Sequence, residues 1–202
     1  MDILIGTKNP YKSAEMISFL KDLENIKIHY LDEIKENIKV EEDQDSLKGN
    51  ASKKATEISK HTDYFVLTSD GGVDIPGLEE KWDMLKNQRT VGENKTDQEK
   101  VNILINVMKG LKGEDRKCTY YLSLALAKNG KLIWSFEDIY DNGFITDNPS
   151  KSEIPKGKWM GFVWFYPQYQ KVSTELNEKE LFEVRKQGNK IKENLQQYIK
   201  IL

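Results

Sequence analysis

Cysteine and histidine are both scarce in this chain of 202 residues, which contains one cysteine and two histidines. The single cysteine, Cys118, excludes an internal disulfide bond and is typical of a protein from a reducing compartment. With only His29 and His61, neither a histidine-rich metal site nor a Ser-His-Asp triad is expected. Any bound metal should therefore be a hard cation held by oxygen ligands.

The sequence also lacks a long apolar run and an excess of charge of one sign. It has 31 basic and 33 acidic side chains, and a net charge of -2 gives no general attraction to nucleic acid or to a membrane surface. No signal peptide or membrane span is visible. We therefore expect a cytoplasmic protein with no nucleic-acid or membrane partner. The length fits one sizeable core or at most two small lobes, and we treat residues 1–202 as a single domain.

Residues 64–78 contain the first candidate functional site of the sequence. The apolar and β-branched run from Tyr64 to Thr68 predicts a short buried strand. The segment Ser69-Asp70-Gly71-Gly72 follows, and its glycines permit a tight turn and a close approach to a ligand. Ligands of open α/β sheets bind beyond the carboxyl ends of the strands, so Asp70 is a candidate to hold a metal or activate a water. The alternative is that Asp70 only shapes a turn.

A second candidate site follows the first strand, Ile3-Leu4-Ile5, at residues 6–12. Asn9 followed by Pro10 is typical of a helix start. A strand, a polar loop and a helix N-terminus together predict an anion site, because free N–H groups and the helix dipole converge there. Lys12 lies in the first helical turn, where a cation is unfavourable unless it holds an anion. The alternative is a solvated surface lysine.

A third candidate is Lys54, in a helix predicted to begin after Ser46. The apolar stripe of this helix consists of Leu47, Ala51, Ala55 and Ile58. At about 100° per residue Lys54 falls inside the stripe, whereas Lys53 points away from it. An unpaired buried charge is costly, so we interpret Lys54 as a phosphate-facing residue. The alternative is that its ammonium group extends past the stripe to water.

The second half of the sequence predicts an antiparallel meander. Residues 118–127 alternate as a half-buried strand, and Asn129-Gly130 predicts a hairpin into a strand over residues 132–139. Asn142-Gly143 predicts another turn, into a strand over residues 144–146.

Two features near the C-terminus concern a possible base site. Residues 161–167 form an aromatic cluster that either stacks on a base or belongs to the core. A helix is predicted over residues 178–202, with a kink or break at Gly188. Arg185 and Lys186 lie just before this glycine, where a solvated helix face is the alternative to a role in binding.

In this order, these motifs resemble the inosine triphosphate pyrophosphatase family, whose members hydrolyse aberrant purine nucleoside triphosphates. The family's Thr-x-Asn-x-x-Lys-x-x-Glu pattern is met by Thr7, Asn9, Lys12 and Glu15. Its glutamate ahead of an Asn-Ala-x-x-Lys-Ala helix is met by Glu42, Asn50, Ala51, Lys54 and Ala55. Its Asp-Asp-Ser-Gly-Leu loop is met by residues 69–73, a downstream arginine by Arg89, and the start of its base-pocket motif by Gly161, Phe162 and Trp164.

The departures from the family pattern concentrate at the base-reading end. Ser69 replaces the first acid of the acidic loop, and Gly71 replaces its serine. The Asp-Pro that follows the family's aromatic motif is missing. Where the family has a lysine and then Ser-His-Arg, this chain has Glu180 or Leu181 and then Arg185-Lys186-Gln187. The resemblance therefore implies pyrophosphohydrolase chemistry more firmly than it implies a particular base.

The resemblance implies an α/β fold, with a long, mixed, twisted sheet flanked by helices and a nucleotide cleft between two lobes. It implies a homodimer that uses Mg²⁺, or Mn²⁺, to hydrolyse a nucleoside triphosphate such as ITP, dITP, XTP or another modified nucleotide. The products are the monophosphate and pyrophosphate. A modified or pyrimidine nucleotide is an alternative substrate. A nucleotide-binding regulator with little or no turnover is the alternative function.

The resemblance also implies roles for individual residues. Glu42 and Asp70 would hold the metal, and Asp70, Lys12 and Lys54 would be the catalytic residues. The phosphates would be bound by Thr7, Lys8, Asn9, Lys12, Lys54 and Gly71. The base would be bound by Phe162, Trp164, Arg185 and Lys186.

Overall fold

The computed structural model describes residues 1–34, 38–86, 90–92, 94–155 and 157–202, so the predicted family arginine, Arg89, lies outside the described residues. The strands are β1 (Asp2–Ile5), β2 (Lys27–Tyr30), β3 (Phe65–Asp74), β4 (Lys117–Lys128), β5 (Lys131–Ile145), β6 (Trp164–Tyr166) and β7 (Lys171–Val172). The helices in these ranges are α1 (Pro10–Leu20), α2 (Leu47–Ile58), α3 (Asp97–Val107), α4 (Glu178–Val184) and α5 (Asn189–Ile199). None of them is both long enough and apolar enough to cross a bilayer.

The seven strands form one sheet in the order β2-β1-β3-β4-β5-β6-β7. β1 is parallel to both of its neighbours, with Leu4 opposite His29 of β2 and Val66 of β3. β6 is antiparallel to both β5 and β7. β4 and β5 are joined at Asn129-Gly130, whose φ angles of 51° and 73° suit a hairpin turn. The predicted α/β class, with a mixed sheet and accompanying helices, is confirmed.

The helix boundaries follow local sequence signals. The Asn9 side chain caps α1, and the Ser46 side chain caps α2 by accepting from the Gly49 N–H at 3.0 Å. The predicted break at Gly188 is confirmed, because a 3₁₀ turn over Arg185–Gly188 separates α4 from α5.

Two glycine-containing segments predicted as turns lie inside strands instead. β3 continues through Ser69-Asp70-Gly71-Gly72 to Asp74, and β5 continues through Asn142-Gly143 to Ile145. At Gly143 the reason is packing, since an added Cβ would overlap the Trp164 indole nitrogen. This glycine serves a close approach between side chain and backbone rather than a turn.

The chain divides into two compact units, which we call unit 1 (residues 1–71, 122–138 and 188–202) and unit 2 (residues 72–121 and 139–187). In unit 1, Ala51 and Ala55 of α2 pack on Ala125 and Ala127 of β4, where four small side chains permit a close approach. A second cluster in unit 1 consists of Leu4, Ile58 and Val66. The unit 2 core includes Trp82, Leu104, Cys118, Phe162 and Trp164.

Candidate functional site

Asp70 lies in unit 1, just past the end of a neighbouring strand. β1 pairs with β3 as far as Leu67, and Asp70 is three residues further along β3. Side chains two apart on a strand share a face, so Asp70 is on the side of Thr68. The Thr68 hydroxyl donates to the Ala51 carbonyl oxygen of α2 at 2.7 Å. Asp70 is thus directed to the face that α2 covers, and only 6% of it is exposed.

Two ammonium groups from different helices meet this buried carboxylate. Lys12 Nζ of α1 lies 3.5 Å from Asp70 Oδ1, and Lys54 Nζ of α2 lies 3.6 Å from the same oxygen. Lys54 Nζ also donates to the Ser69 carbonyl oxygen at 2.8 Å and to Glu42 Oε1 at 2.9 Å. The structure therefore brings together four of the predicted site residues, and it adds the Ser69 carbonyl, which no side-chain motif could indicate.

Lys54 lies inside the apolar stripe of α2, as its helical position predicts. Its side chain is 14% exposed, whereas that of its neighbour Lys53 is 30% exposed. Lys53 Nζ pairs instead with Asp43 Oδ1 at 2.7 Å. These adjacent lysines carry the same charge but contact different carboxylates, which makes Lys53 a natural control for Lys54.

The N-terminus of α1 follows β1 and is capped by its own chain. Asn9 Oδ1 accepts from the N–H groups of Tyr11 and Lys12 at 2.9 and 3.3 Å. The Asn9 N–H in turn donates to Thr7 Oγ1 at 3.1 Å. Lys8 and Asn9 are exposed. The contact of Lys12 with Asp70 joins the N-terminus of α1 to residues 69–71 of β3.

The oxygen atoms around Lys54 suit a hard divalent cation. They are two carboxylate oxygens, from Glu42 and Asp70, and the main-chain carbonyl oxygen of Ser69. Proteins commonly hold Mg²⁺ through one or two carboxylates, with substrate phosphates and waters as the remaining ligands. The described part of the chain has no group of three or more His, Cys, Asp or Glu side chains arranged for a metal. The predicted pair, Glu42 and Asp70, fits the two-carboxylate pattern.

The four predicted base-site residues belong to unit 2 and fall into two groups. Phe162 and Trp164 are buried in the core of that unit. The Arg185 guanidinium lies 5.9 Å from the centroid of the Tyr140 ring. Lys186 Nζ pairs with Glu183 Oε2 at 2.7 Å.

Unit 2 also contains a buried acid that the sequence did not single out. The Tyr166 hydroxyl donates to Asp141 Oδ2 at 2.5 Å, and within the described residues Asp141 Oδ1 is buried with no hydrogen-bond partner. Burial raises the pKa of Asp141 to about 6, although the hydrogen bond from Tyr166 and the charge of Arg185 act in the opposite direction. Burial and the Asp141 charge also raise the pKa of Tyr166. Asp141 directly precedes Asn142-Gly143, where the sequence predicts a turn, so the sequence gives no indication that Asp141 lies buried within a strand.

Comparisons with known proteins agree with this fold. A family model described as the Ham1 family matches residues 3–194. The chain belongs to the Ham1 family. A dITP/XTP pyrophosphatase of Clostridium perfringens is 28% identical over 213 residues, covering 98% of each chain. A dITP/XTP pyrophosphatase of Clostridium tetani is 29% identical over 211 residues, covering 98% of this chain and 97% of its own.

A solved Ham1 protein from Coxiella burnetii superimposes with a TM-score of 0.80 over the full length of both chains. Its sequence identity to this chain is 23%, so this likeness concerns the fold alone. The predicted resemblance to inosine triphosphate pyrophosphatase-like proteins is confirmed.

Proposed function

We propose that this Ham1-family chain hydrolyses a nucleoside triphosphate, such as dITP or XTP, to the nucleoside monophosphate and pyrophosphate. The observation that carries the proposal is the buried Asp70 carboxylate with Lys12 and Lys54 on one of its oxygens. The proposal is supported by relatives from two Clostridium species that are dITP/XTP pyrophosphatases.

Lys12 and Lys54 bind the phosphates in this proposal. Both ammonium groups lie on one buried carboxylate oxygen, and they approach it from two separate helices. A triphosphate offers several anionic oxygens to both groups, and ammonium groups bound to those oxygens stabilise charge that develops on the leaving phosphates. Thr7, Lys8, Asn9 and Gly71 complete the phosphate site.

Asp70 orients the attacking water and accepts its proton. The water oxygen bonds to phosphorus as the bond between the α- and β-phosphates breaks, and pyrophosphate leaves. The burial of Asp70 restricts the positions that its carboxylate can take, as a general base requires. Glu42 and Asp70 would hold Mg²⁺, or Mn²⁺, which would neutralise charge on the phosphate oxygens.

For the base, we propose contacts from Arg185 and Lys186. The other two predicted base-site residues, Phe162 and Trp164, are only 1% and 4% exposed in the core of unit 2, too buried to stack on a base. Stacking tolerates any base, whereas strong discrimination needs hydrogen-bonding groups that a wrong base leaves unpaired. The family segments that supply such groups are altered in this chain. We therefore expect only moderate selectivity for inosine or xanthosine. The homodimer and the cytoplasmic location stay predictions.

A nucleotide-binding regulator without turnover is the second candidate, and one observation favours it. Ser69 stands where the family pattern has an acid, and its hydroxyl is buried with no hydrogen-bond partner among the described residues. The loss of one carboxylate from the acidic loop would reduce hydrolysis more than it would reduce phosphate binding.

A panel of nucleoside triphosphates tests the substrate class. Each of dITP, ITP, XTP, the standard nucleotides and modified nucleotides is supplied with Mg²⁺, and pyrophosphate release is measured in pairwise competition. We expect pyrophosphate release with dITP or XTP. We expect neither to be preferred over the other nucleotides by more than roughly 100-fold, a difference of about 2.7 kcal/mol in the activation barrier. A larger preference would show that other residues have rebuilt the base pocket, and no release with any nucleotide would favour the regulator.

A further inference from the structure

The Lys54 ammonium group lies among oxygen atoms that include both proposed metal ligands. Its three oxygen neighbours are Ser69 O at 2.8 Å, Glu42 Oε1 at 2.9 Å and Asp70 Oδ1 at 3.6 Å. Two of these oxygens belong to the proposed metal ligands. The carboxylates therefore have a cation between them already, supplied by the chain itself.

A divalent ion cannot share this arrangement unchanged. Mg²⁺ binds carboxylate oxygens at about 2.0–2.1 Å, whereas the Asp70 Oδ1 atom has two ammonium groups within 3.6 Å. Like charges at such separations repel strongly where the surroundings are partly buried. Metal binding to the nucleotide-free protein must therefore compete with Lys54 first, and with Lys12 second, because Lys12 contacts only one of the two carboxylates.

We propose that Lys54 is the resident cation of the metal site and that a triphosphate opens the site by drawing Lys54 and Lys12 onto its own oxygens. This inference rests on the proposed function, since it takes the same two lysines as the phosphate ligands. Nucleotide and metal then bind cooperatively, and each raises the affinity of the protein for the other. Without nucleotide the protein binds divalent cations weakly, and the Asp70 carboxylate stays paired with the two ammonium groups.

The test measures Mn²⁺ binding to the nucleotide-free protein, with free Mn²⁺ followed by electron paramagnetic resonance. Lys54→Met should bind Mn²⁺ at least about tenfold more tightly than the wild type, because one competing cation is gone. Lys12→Met should show a smaller gain. Lys53→Met removes the same charge one residue away, from a pair with Asp43, and should leave Mn²⁺ affinity unchanged. Adding Asp70→Asn to Lys54→Met should abolish the gain, which would locate it at this site.

Equal Mn²⁺ affinities in Lys54→Met and Lys53→Met would overturn the inference. Circular dichroism checks that each variant is folded. Lys54→Gln replaces Lys54→Met if the latter does not fold, and Lys12→Met provides an independent comparison with Lys53→Met. If the wild type releases pyrophosphate but Lys54→Met gains no affinity, the inference fails and the proposed function stands. If Lys54→Met gains Mn²⁺ affinity but the wild type hydrolyses no nucleotide, the inference about Lys54 stands and the proposed function fails.

Discussion

The buried Asp141–Tyr166 pair predicts a contribution to the unfolding free energy that falls as pH rises through the weakly acidic range. Burial raises the pKa of Asp141 from 3.8 to about 6 on folding. A carboxyl group with a raised pKa stabilises the folded state fully below its unfolded pKa, and that contribution is lost as pH rises through the folded pKa. The difference between 3.8 and about 6 corresponds to about 3 kcal/mol.

Asp141→Asn isolates this contribution because asparagine does not titrate. Its side-chain oxygen still accepts the hydrogen bond of the Tyr166 hydroxyl, and its amide replaces an oxygen that has no partner among the described residues. Between roughly pH 4 and pH 7.5, the stability of the variant relative to wild type should therefore rise by up to about 3 kcal/mol. Tyr166→Phe should shift the pH-dependent loss to higher pH, because it removes a hydrogen bond that lowers the pKa of Asp141.

The comparison with the variant is needed because His29 changes stability in the same direction. Its ring nitrogens lie 2.6 Å from Glu33 Oε2 and 2.8 Å from Asp2 Oδ1, and these hydrogen bonds raise the pKa of His29. Its contribution is present below pH 6.5 and is lost as pH rises through the raised pKa. His29 is the same in wild type and variant, so its effect cancels in the difference. Urea unfolding across this pH range is the assay, and parallel pH profiles for wild type and Asp141→Asn would refute the reasoning.

Three further predictions concern single side chains. Asp70→Asn should lower turnover in steady-state kinetics by more than about tenfold, which corresponds to ~1.4 kcal/mol in the activation barrier, while its circular dichroism spectrum stays unchanged. A smaller loss of turnover would show that Asp70 is not the general base. Lys54→Met should weaken binding of inorganic triphosphate measured by calorimetry without metal, while Lys53→Met should not, and equal affinities would return Lys54 to a structural role. Gly143→Ala should destabilise the protein by about 1–3 kcal/mol in urea unfolding, since the new Cβ would overlap the Trp164 indole, and an unchanged midpoint would mean that the indole moves aside without cost.

Local signals in the sequence predicted those features that depend on neighbouring residues. The caps at Asn9 and Ser46 and the break at Gly188 each involve atoms a few residues apart, so short motifs suffice to predict them. The position of Lys54 within its helical stripe follows from periodicity alone. The association of Lys12 with Asp70, 58 residues apart, could be predicted only by matching a known family order.

The features that the sequence did not predict correctly depend on contacts between neighbouring strands rather than on neighbouring residues. Asn142-Gly143 has the local composition of a turn, but β6 brings the Trp164 indole against Gly143 and keeps the segment in a strand. Asp141 and Tyr166 are 25 residues apart, and their contact depends on strand register, which the sequence does not reveal. The role of the Ser69 carbonyl is equally hidden, since every residue has one.

A single-turnover experiment tests the central claim most directly. The protein is mixed in excess with dITP and Mg²⁺, the reaction is quenched at intervals, and nucleotide products, pyrophosphate and inorganic phosphate are quantified for the wild type and Asp70→Asn. We predict equal amounts of the monophosphate and pyrophosphate from the wild type, and little of either from the variant at the same times. Saturable dITP binding with no product, or release of the diphosphate with inorganic phosphate, would contradict the account.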